Sequence, residues 1–324
     1  MAKRTKTKSL RWLSFRLFLF TGLVFCFAGL LGYAWYSQQD TATQERIQLK
    51  ALRAIDRLRE SKSTPPEIIH WADLLADKLP VNTGTVVDAG AVSRANTFLY
   101  GGMPRSSRAL RLLQNKGYLV GYDEKLQNPA WVAYRVVKMD DYDAPPRHDK
   151  FEMDRRTQSR VRADAFARSG YDRGHLAPSY AIGLCYGAEA QVETFLMSNI
   201  SPQNPLLNRT LWGDLEQRVA RRYGKRFDTI WVLCGPTFKP VPKYLDADVA
   251  IPEQFYMILL DELDSRHLRA LAFLIPNEAP EGEDLRTYLT SIDIVEQYSG
   301  LDFFPDLPDD TEGALETVQP TRLW

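Results

Sequence analysis

The chain has 324 residues, 44% of them hydrophobic, enough to bury one sizeable core with accessory segments. Its 41 basic and 41 acidic residues cancel, which excludes a globally cationic nucleic-acid binder; any pull on phosphate has to come from a local basic face. Three cysteines exclude a disulfide-dense scaffold. One of them, Cys26, lies in an apolar run. Cys185 and Cys234 match no zinc spacing and are read as buried free thiols, with pairing in an oxidising compartment as the alternative.

Residues 1–16 form a basic leader with six Lys or Arg, and no acid occurs before Asp40. Residues 17–36 are uncharged, and as a helix this run is long enough to span the hydrocarbon layer. The basic leader against the uncharged exit predicts a cytosolic N-terminus, with the remainder on the other side. A cleavable signal peptide competes with this reading. No small-x-small site follows the run, and Tyr33, Trp35 and Tyr36 suit an interfacial aromatic belt, so an uncleaved signal anchor is favoured. A mitochondrial presequence fused to an inner-membrane anchor also fits the acid-free, hydroxyl-rich leader. The predicted protein is therefore single-pass, with its main domain outside the cytoplasm. That side is periplasmic or extracellular in a bacterium, or the intermembrane space in a mitochondrion.

Residues 37–84 read as a helical stalk or linker. Ile47, Ala51, Leu52, Ile55 and Leu58 recur at helical spacing before Pro65-Pro66, and a second helix carries Ile68, Trp71, Leu75 and Leu79 on one face. His70 in that helix has no partner nearby in sequence and is read as a packing residue. The main domain is expected over residues 85–310, followed by a tail at 311–324. Within the domain, residues 117–122 and 131–137 read as a strand pair, and 195–200, 229–234, 255–260 and 268–275 as further strands. Residues 206–223 are the clearest helix. The fold class is α+β, a mainly antiparallel sheet flanked by helices.

The chemistry concentrates in Asp172-Arg173-Gly174-His175, followed by Asn199, Asn208 and Glu216. His175 is the candidate general base for activating a water; the alternative is a histidine satisfied in a turn. Arg173, two residues earlier in an extended segment, shares its face and suits a phosphate oxygen. Asn208 offers an amide oxygen to a hard cation such as Mg²⁺, although its place near a helix start also suits an N-cap. Glu216 lies eight residues further, roughly 12 Å along an ideal helix, so it is read as acting through metal-bound water or an arginine. An exposed helix carboxylate is the alternative. Asn199 is expected to position backbone or substrate, and Asp172 to brace Arg173 or the turn. Arg147 is a further phosphate candidate that spacing alone does not place. Arg218 and Arg221 head a basic cluster with Arg222, Lys225 and Arg226, and Arg155, Arg156, Arg160 and Arg162 lie upstream; solvated faces also look like this.

These motifs resemble the DNA/RNA non-specific endonucleases, the ββα-metal or His-Me finger nucleases, and within them the endonuclease G-like branch. The resemblance rests on Asp172-Arg-Gly-His-Leu-Ala-Pro178, Phe195-Leu-Met-Ser-Asn-Ile-Ser-Pro-Gln203 and Leu207-Asn-Arg-Thr-Leu-Trp-Gly-Asp-Leu-Glu216, in matching order and spacing. It covers roughly residues 96–307, adding the 117–134 hairpin and the segments 271–277 and 291–305. The resemblance implies the ββα-metal fold and Mg²⁺- or Mn²⁺-dependent cleavage of DNA and RNA leaving 5′-phosphate ends. It implies His175 as general base, Asn208 as metal ligand, and Arg173, Asn199 and Glu216 as supporting residues, with Arg147 matched less securely. A homodimer is common in such a family. One departure is Ala220, where some members carry an arginine; Arg218 and Arg221 flank it. The rival reading is a membrane-tethered binding or uptake protein with a vestigial site, against which the intact Arg173, His175, Asn208 and Glu216 argue. A sequence-specific nuclease would need a base-reading module, and neither a zinc finger nor a helix-turn-helix is visible.

Overall fold

Apolar runs without a clean alternation, such as those at 118–123, 229–237 and 254–262, become strands buried on both faces. The computed structural model describes residues 98–139, 143–263 and 267–324, with scattered positions between 34 and 88. The chain divides into two units, residues 1–81 and 82–324. In the first unit, described positions such as Ile47, Ala51 and Leu58 are helical. The expected leader, and most of the anchor at 17–36 and of the stalk at 37–84, lie outside the described residues. Among the described residues, no helix is long and apolar enough to cross a membrane.

The second unit contains β1 (Val87–Asp88), β2 (Arg105–Ser106), β3 (Arg111–Gln114), β4 (Tyr118–Asp123), β5 (Asn128–Val137), β6 (Asp172–His175) and β7 (Ile200–Gln203). There follow β8 (Thr229–Thr237), β9 (Lys243–Tyr244), β10 (Ala250–Ile251), β11 (Gln254–Glu262), β12 (His267–Pro276), β13 (Leu289–Thr290) and β14 (Leu301–Asp302). The main sheet runs β1-β12-β11-β8-β5-β4-β3, with β13 also on β12, and every neighbouring pair is antiparallel. The central register sets Ile258 opposite both Leu233 and Ala272. Along β5, Val132, Tyr134 and Val136 enter one core with Trp212, Leu215 and Tyr223. Trp131 and Ala133 enter a second core, with Ile292, Val295 and Leu315. Helices therefore cover both faces, giving three layers in which each large buried side chain contributes about 1.5–3 kcal/mol of burial.

The helices are α1 (Ser179–Tyr186), α2 (Ala188–Glu193), α3 (Pro205–Arg209), α4 (Leu211–Gln217), α5 (Ile292–Ser299) and α6 (Asp309–Glu316). Two sequence expectations are corrected. The helix over 206–223 is not continuous: it breaks at Thr210 (φ −120°, ψ −99°), whose hydroxyl donates back to the Leu206 carbonyl at 2.6 Å. It then passes from α4 into a π-helical stretch, Arg218–Tyr223. The strand expected over 195–200 is a short 3₁₀ turn, Met197–Asn199, and extended pairing begins only at Ile200.

Residues 311–324, expected as a tail, fold against the sheet: α6 supplies Leu315 to the second core, and Trp324 is 3% exposed. The Trp324 ring packs 5.7 Å from Tyr223 and 5.6 Å from Phe227, with the Arg269 guanidinium 4.9 Å from its centroid. Trp324→Ala is expected to lower unfolding free energy by about 3–5 kcal/mol. Val241→Ala, at a side chain 86% exposed, is expected to stay within about 0.5 kcal/mol. Urea denaturation of the two variants measures the contrast.

Candidate active site

Three small elements assemble the site. β6 and β7 pair antiparallel, with Gly174 opposite Ser201 and His175 opposite Ile200, and α3 follows immediately. Gly174 is required by close approach, since a Cβ there would stand 2.0 Å from Oε1 of the buried Gln203. Asn204 caps α3 by accepting from the Leu206 N–H at 2.9 Å, with Pro205 in the first turn. The cap is therefore Asn204 and not Asn208, which leaves Asn208 available for chemistry.

A cavity of about 290 Å³ lies where these elements meet α1 and α4, lined by Arg147, Arg173, His175, Tyr180, Asn208 and Glu216 among others. The break at Thr210 replaces the ideal helix geometry from which Asn208 and Glu216 were expected to be separated, and both reach this one cavity. Asn199, Arg218 and Arg221 do not line it.

His175 is buried, its ring 4.8 Å from that of Phe195 and 5.3 Å from that of Phe151. Burial, reinforced by the positive Arg147, lowers its pKa to about 3, so the imidazole is neutral at physiological pH. Its Nε2 is buried without a hydrogen-bond partner. An orphaned nitrogen of this kind calls for a functional explanation. Arg173 is exposed, with its guanidinium carbon 4.6 Å from the Phe151 centroid; that of Arg147 lies 5.5 Å from Phe195. The two phenylalanines thus stand between the imidazole and both cations.

The Asn208 amide nitrogen donates to Asp172 Oδ2 at 2.9 Å. An ionised carboxylate only accepts, so this bond fixes which end of the amide is nitrogen. No described bond engages the amide oxygen. Asp172 also takes a two-pronged contact from Arg209, at 2.8 and 2.9 Å. It therefore braces Asn208 and Arg209, where Arg173 or the turn was expected. Burial alone would raise the Asp172 carboxyl, but the bonds from Arg209 and Asn208 hold it below the usual carboxylate range. Glu216 is half-buried and not an exposed helix carboxylate; Oε1 accepts from the Trp212 indole at 3.0 Å. Burial pushes its pKa up to about 8, against the lowering effects of Trp212 and Arg147. Oxygen ligands and an undercoordinated amide suit a hard divalent cation, and Asn208, helped by Glu216, would hold it.

Asn199 is fully buried and latches backbone: Oδ1 accepts from the Ala177 N–H at 2.8 Å, and Nδ2 donates to the Ala177 and Thr194 carbonyls. Arg221 stacks 4.7 Å over Tyr180, which does line the cavity, and Ala220 is buried at the wall. The basic clusters are dispersed. Arg226 lies over Phe227, and Arg156 is spent on Asp154, Gln114 and Asn115. Sequence reading missed Phe151, Phe195 as a ring contact, and Asp154; no local pattern marks them, because they meet the site through tertiary packing.

The family model for the DNA/RNA non-specific endonucleases matches residues 94–310, and the chain belongs to that family. It is an endonuclease, a phosphodiester hydrolase of the endonuclease G-like branch, and the family is metal-dependent. The chain is 32% identical over 240 residues to the nuclease EXOG, mitochondrial, of Danio rerio, covering 68% of each. It is 29% identical to a nuclease of Nostoc sp., covering 64% of this chain and 77% of that one. Human endonuclease G, mitochondrial, is 29% identical, with 61% and 70% covered. One chain in the crystal structure of the EndoG/EndoGI complex superposes with a TM-score of 0.59 at 25% identity, covering 68% of this chain and 96% of its own.

Asp154 ties down the turn that carries Asn199. Its carboxylate accepts from Ser198 at 2.6 Å and pairs with Arg156. Burial tends to raise its pKa, but these bonds hold it below the usual range. A carboxyl whose pKa is depressed by folding stabilises above its unfolded pKa, and that contribution fades as pH falls through the folded value. The urea midpoint is accordingly expected to drop below about pH 4, and Asp154→Asn to lower the neutral-pH midpoint while flattening the acid limb. An acid limb of unchanged slope would remove Asp154 from this role.

Proposed function

We propose that the chain is a membrane-anchored, Mg²⁺-dependent endonuclease that cleaves both DNA and RNA and leaves 5′-phosphate ends, with Mn²⁺ able to substitute. The observation that carries the reading is the buried, unpartnered Nε2 of His175 on the wall of a cavity it shares with Asn208. His175, neutral at physiological pH, takes a proton from a water lined up with the scissile bond. The Asn208 amide oxygen would hold a divalent cation, which when bound would supply positive charge to the phosphate and the leaving oxygen. Asp172 keeps that oxygen turned toward the cavity by holding the amide nitrogen. Arg173 and Arg147 bind the phosphate oxygens and oppose the negative charge that grows on them. Glu216, whose pKa burial raises to about 8, would orient water around the cation by accepting from it in its ionised form. Arg218 and Arg221 extend the basic surface along the nucleic-acid backbone.

Residues 17–36 are proposed as the anchor, with the nuclease unit on the far side of the membrane from residues 1–16. That side is a bacterial periplasm or exterior, or the mitochondrial intermembrane space; several relatives are named as mitochondrial nucleases. Protease added to intact cells or organelles stripped of any outer membrane should digest the nuclease unit and spare the leader, and the opposite pattern would sink this orientation.

For the chemistry, the detergent-solubilised full chain is incubated with plasmid and with RNA, in Mg²⁺ or in EDTA. Both substrates should be degraded only with metal. His175→Ala and Asn208→Ala should each slow cleavage by about 10²–10⁴-fold. Retained binding with no cleavage by the wild-type chain would favour the vestigial-site reading.

A further inference from the structure

On the opposite face of the main sheet from the catalytic cavity, α5 and α6 pack together through Val295 and Leu315 in the second core. Asp293 and Glu296 stand one turn apart on α5, and Glu316 is the last residue of α6. One carboxylate oxygen from each lies within 4.8 Å of the other two. Asp302 and Glu312 add two more negative charges nearby.

Three observations make this more than a crowded acidic surface. Glu316 is 6% exposed, its Oε1 is buried with no hydrogen-bond partner, and the same carboxylate belongs to the cluster. Glu316 also sits at the C-terminal end of α6, where the helix dipole disfavours negative charge and where the last turn holds no basic residue. Among the described residues, no lysine, arginine or histidine forms a salt bridge with Asp293, Glu296 or Glu316; Arg105 pairs instead with Asp302 at 3.8 Å. Glu296 Oε1 already accepts from the Phe303 N–H at 2.7 Å, which orients the carboxylate and leaves its second oxygen available.

We infer that Asp293, Glu296 and Glu316 form a second divalent-cation site, suited to calcium, that clamps α6 onto α5. The donors are all hard oxygens. Magnesium dehydrates reluctantly and is usually held by one or two protein carboxylates, whereas calcium accepts a larger and more flexible set of carboxylate oxygens. Three protein carboxylates converging on one point therefore suit calcium. Exposed Asp293 gives the ion an entry side, and water completes its coordination. The clamp secures the helix that precedes the Trp324 anchor, so the ion stabilises the chain's C-terminal segment and takes no part in phosphodiester cleavage. This inference does not rest on the proposed catalytic roles.

The test uses the full chain in detergent, stripped with EDTA and titrated with CaCl₂ alone. Calorimetry and thermal unfolding are recorded for wild type, Asn208→Ala, Glu316→Gln and Asp293→Asn. One calcium per chain and a rise in Tm of several degrees are expected for wild type, and equally for Asn208→Ala, which removes the catalytic ligand. Glu316→Gln should lose both signals while remaining folded in EDTA. Asp293→Asn, at an exposed position that leaves the core intact, should weaken calcium binding at least tenfold. A calcium titration without heat or thermal shift overturns the proposal. So do signals that survive both carboxylate substitutions, or that vanish with Asn208→Ala. Plasmid cleavage in Mg²⁺ reports separately on the catalytic site and should persist in Asp293→Asn.

Discussion

The catalytic arrangement depends on one contact, the Asp172 carboxylate accepting from the Asn208 amide at 2.9 Å while Arg209 grips its other side. That contact ties the first strand of the β6–β7 pair to α3, and so relates His175, at the far end of β6, to the amide oxygen on the helix. Without it the proposed base and the proposed metal ligand would belong to two independently moving elements. An error of about 1 Å between such groups is enough to cost catalysis a large factor. Asn199 performs the matching service on the other side, latching Ala177 just beyond the base.

Burial then assigns the protonation states. The same loss of water that keeps His175 neutral, with its pKa near 3, pushes Glu216 up to about 8. Desolvation acts against charge of either sign, so a cationic imidazole and an anionic carboxylate are both disfavoured until an ion or substrate arrives. Arg147 stands on the rim of this pocket and acts on both groups, lowering each. The cavity is thus neutral in its interior and positive at its mouth, a distribution that admits a phosphate together with its counter-ion.

Much of this was legible locally, for reasons that differ by residue. Arg173 and His175 share a wall because side chains two apart on a strand point the same way. The helix after Pro205 was legible from its proline and apolar spacing. Its interruption was not, because the break comes from the Thr210 hydroxyl competing for the Leu206 carbonyl, and threonines sit in many unbroken helices. The same holds for 195–200, where the run makes only an isolated bridge to Glu152, through the Phe195 carbonyl and the Met197 N–H, before turning at Met197–Asn199. Arg156 looked like part of a solvated basic cluster; Asp154, Gln114 and Asn115, brought in from other elements, turn it into a structural brace.

The chain's own order of residues determined the α+β class, the antiparallel strands and the residue types able to hydrolyse a phosphodiester. These follow from periodicity, turn chemistry and side-chain functional groups, all of which are local. Only the tertiary structure decided that Glu216 shares a cavity with Asn208, that Asp172 holds the Asn208 amide, that Phe151 and Phe195 pack on His175, and that Trp324 closes the core. Those outcomes depend on which surfaces exclude water together. Burial is a property of the packed whole and leaves no mark at any single position along the chain.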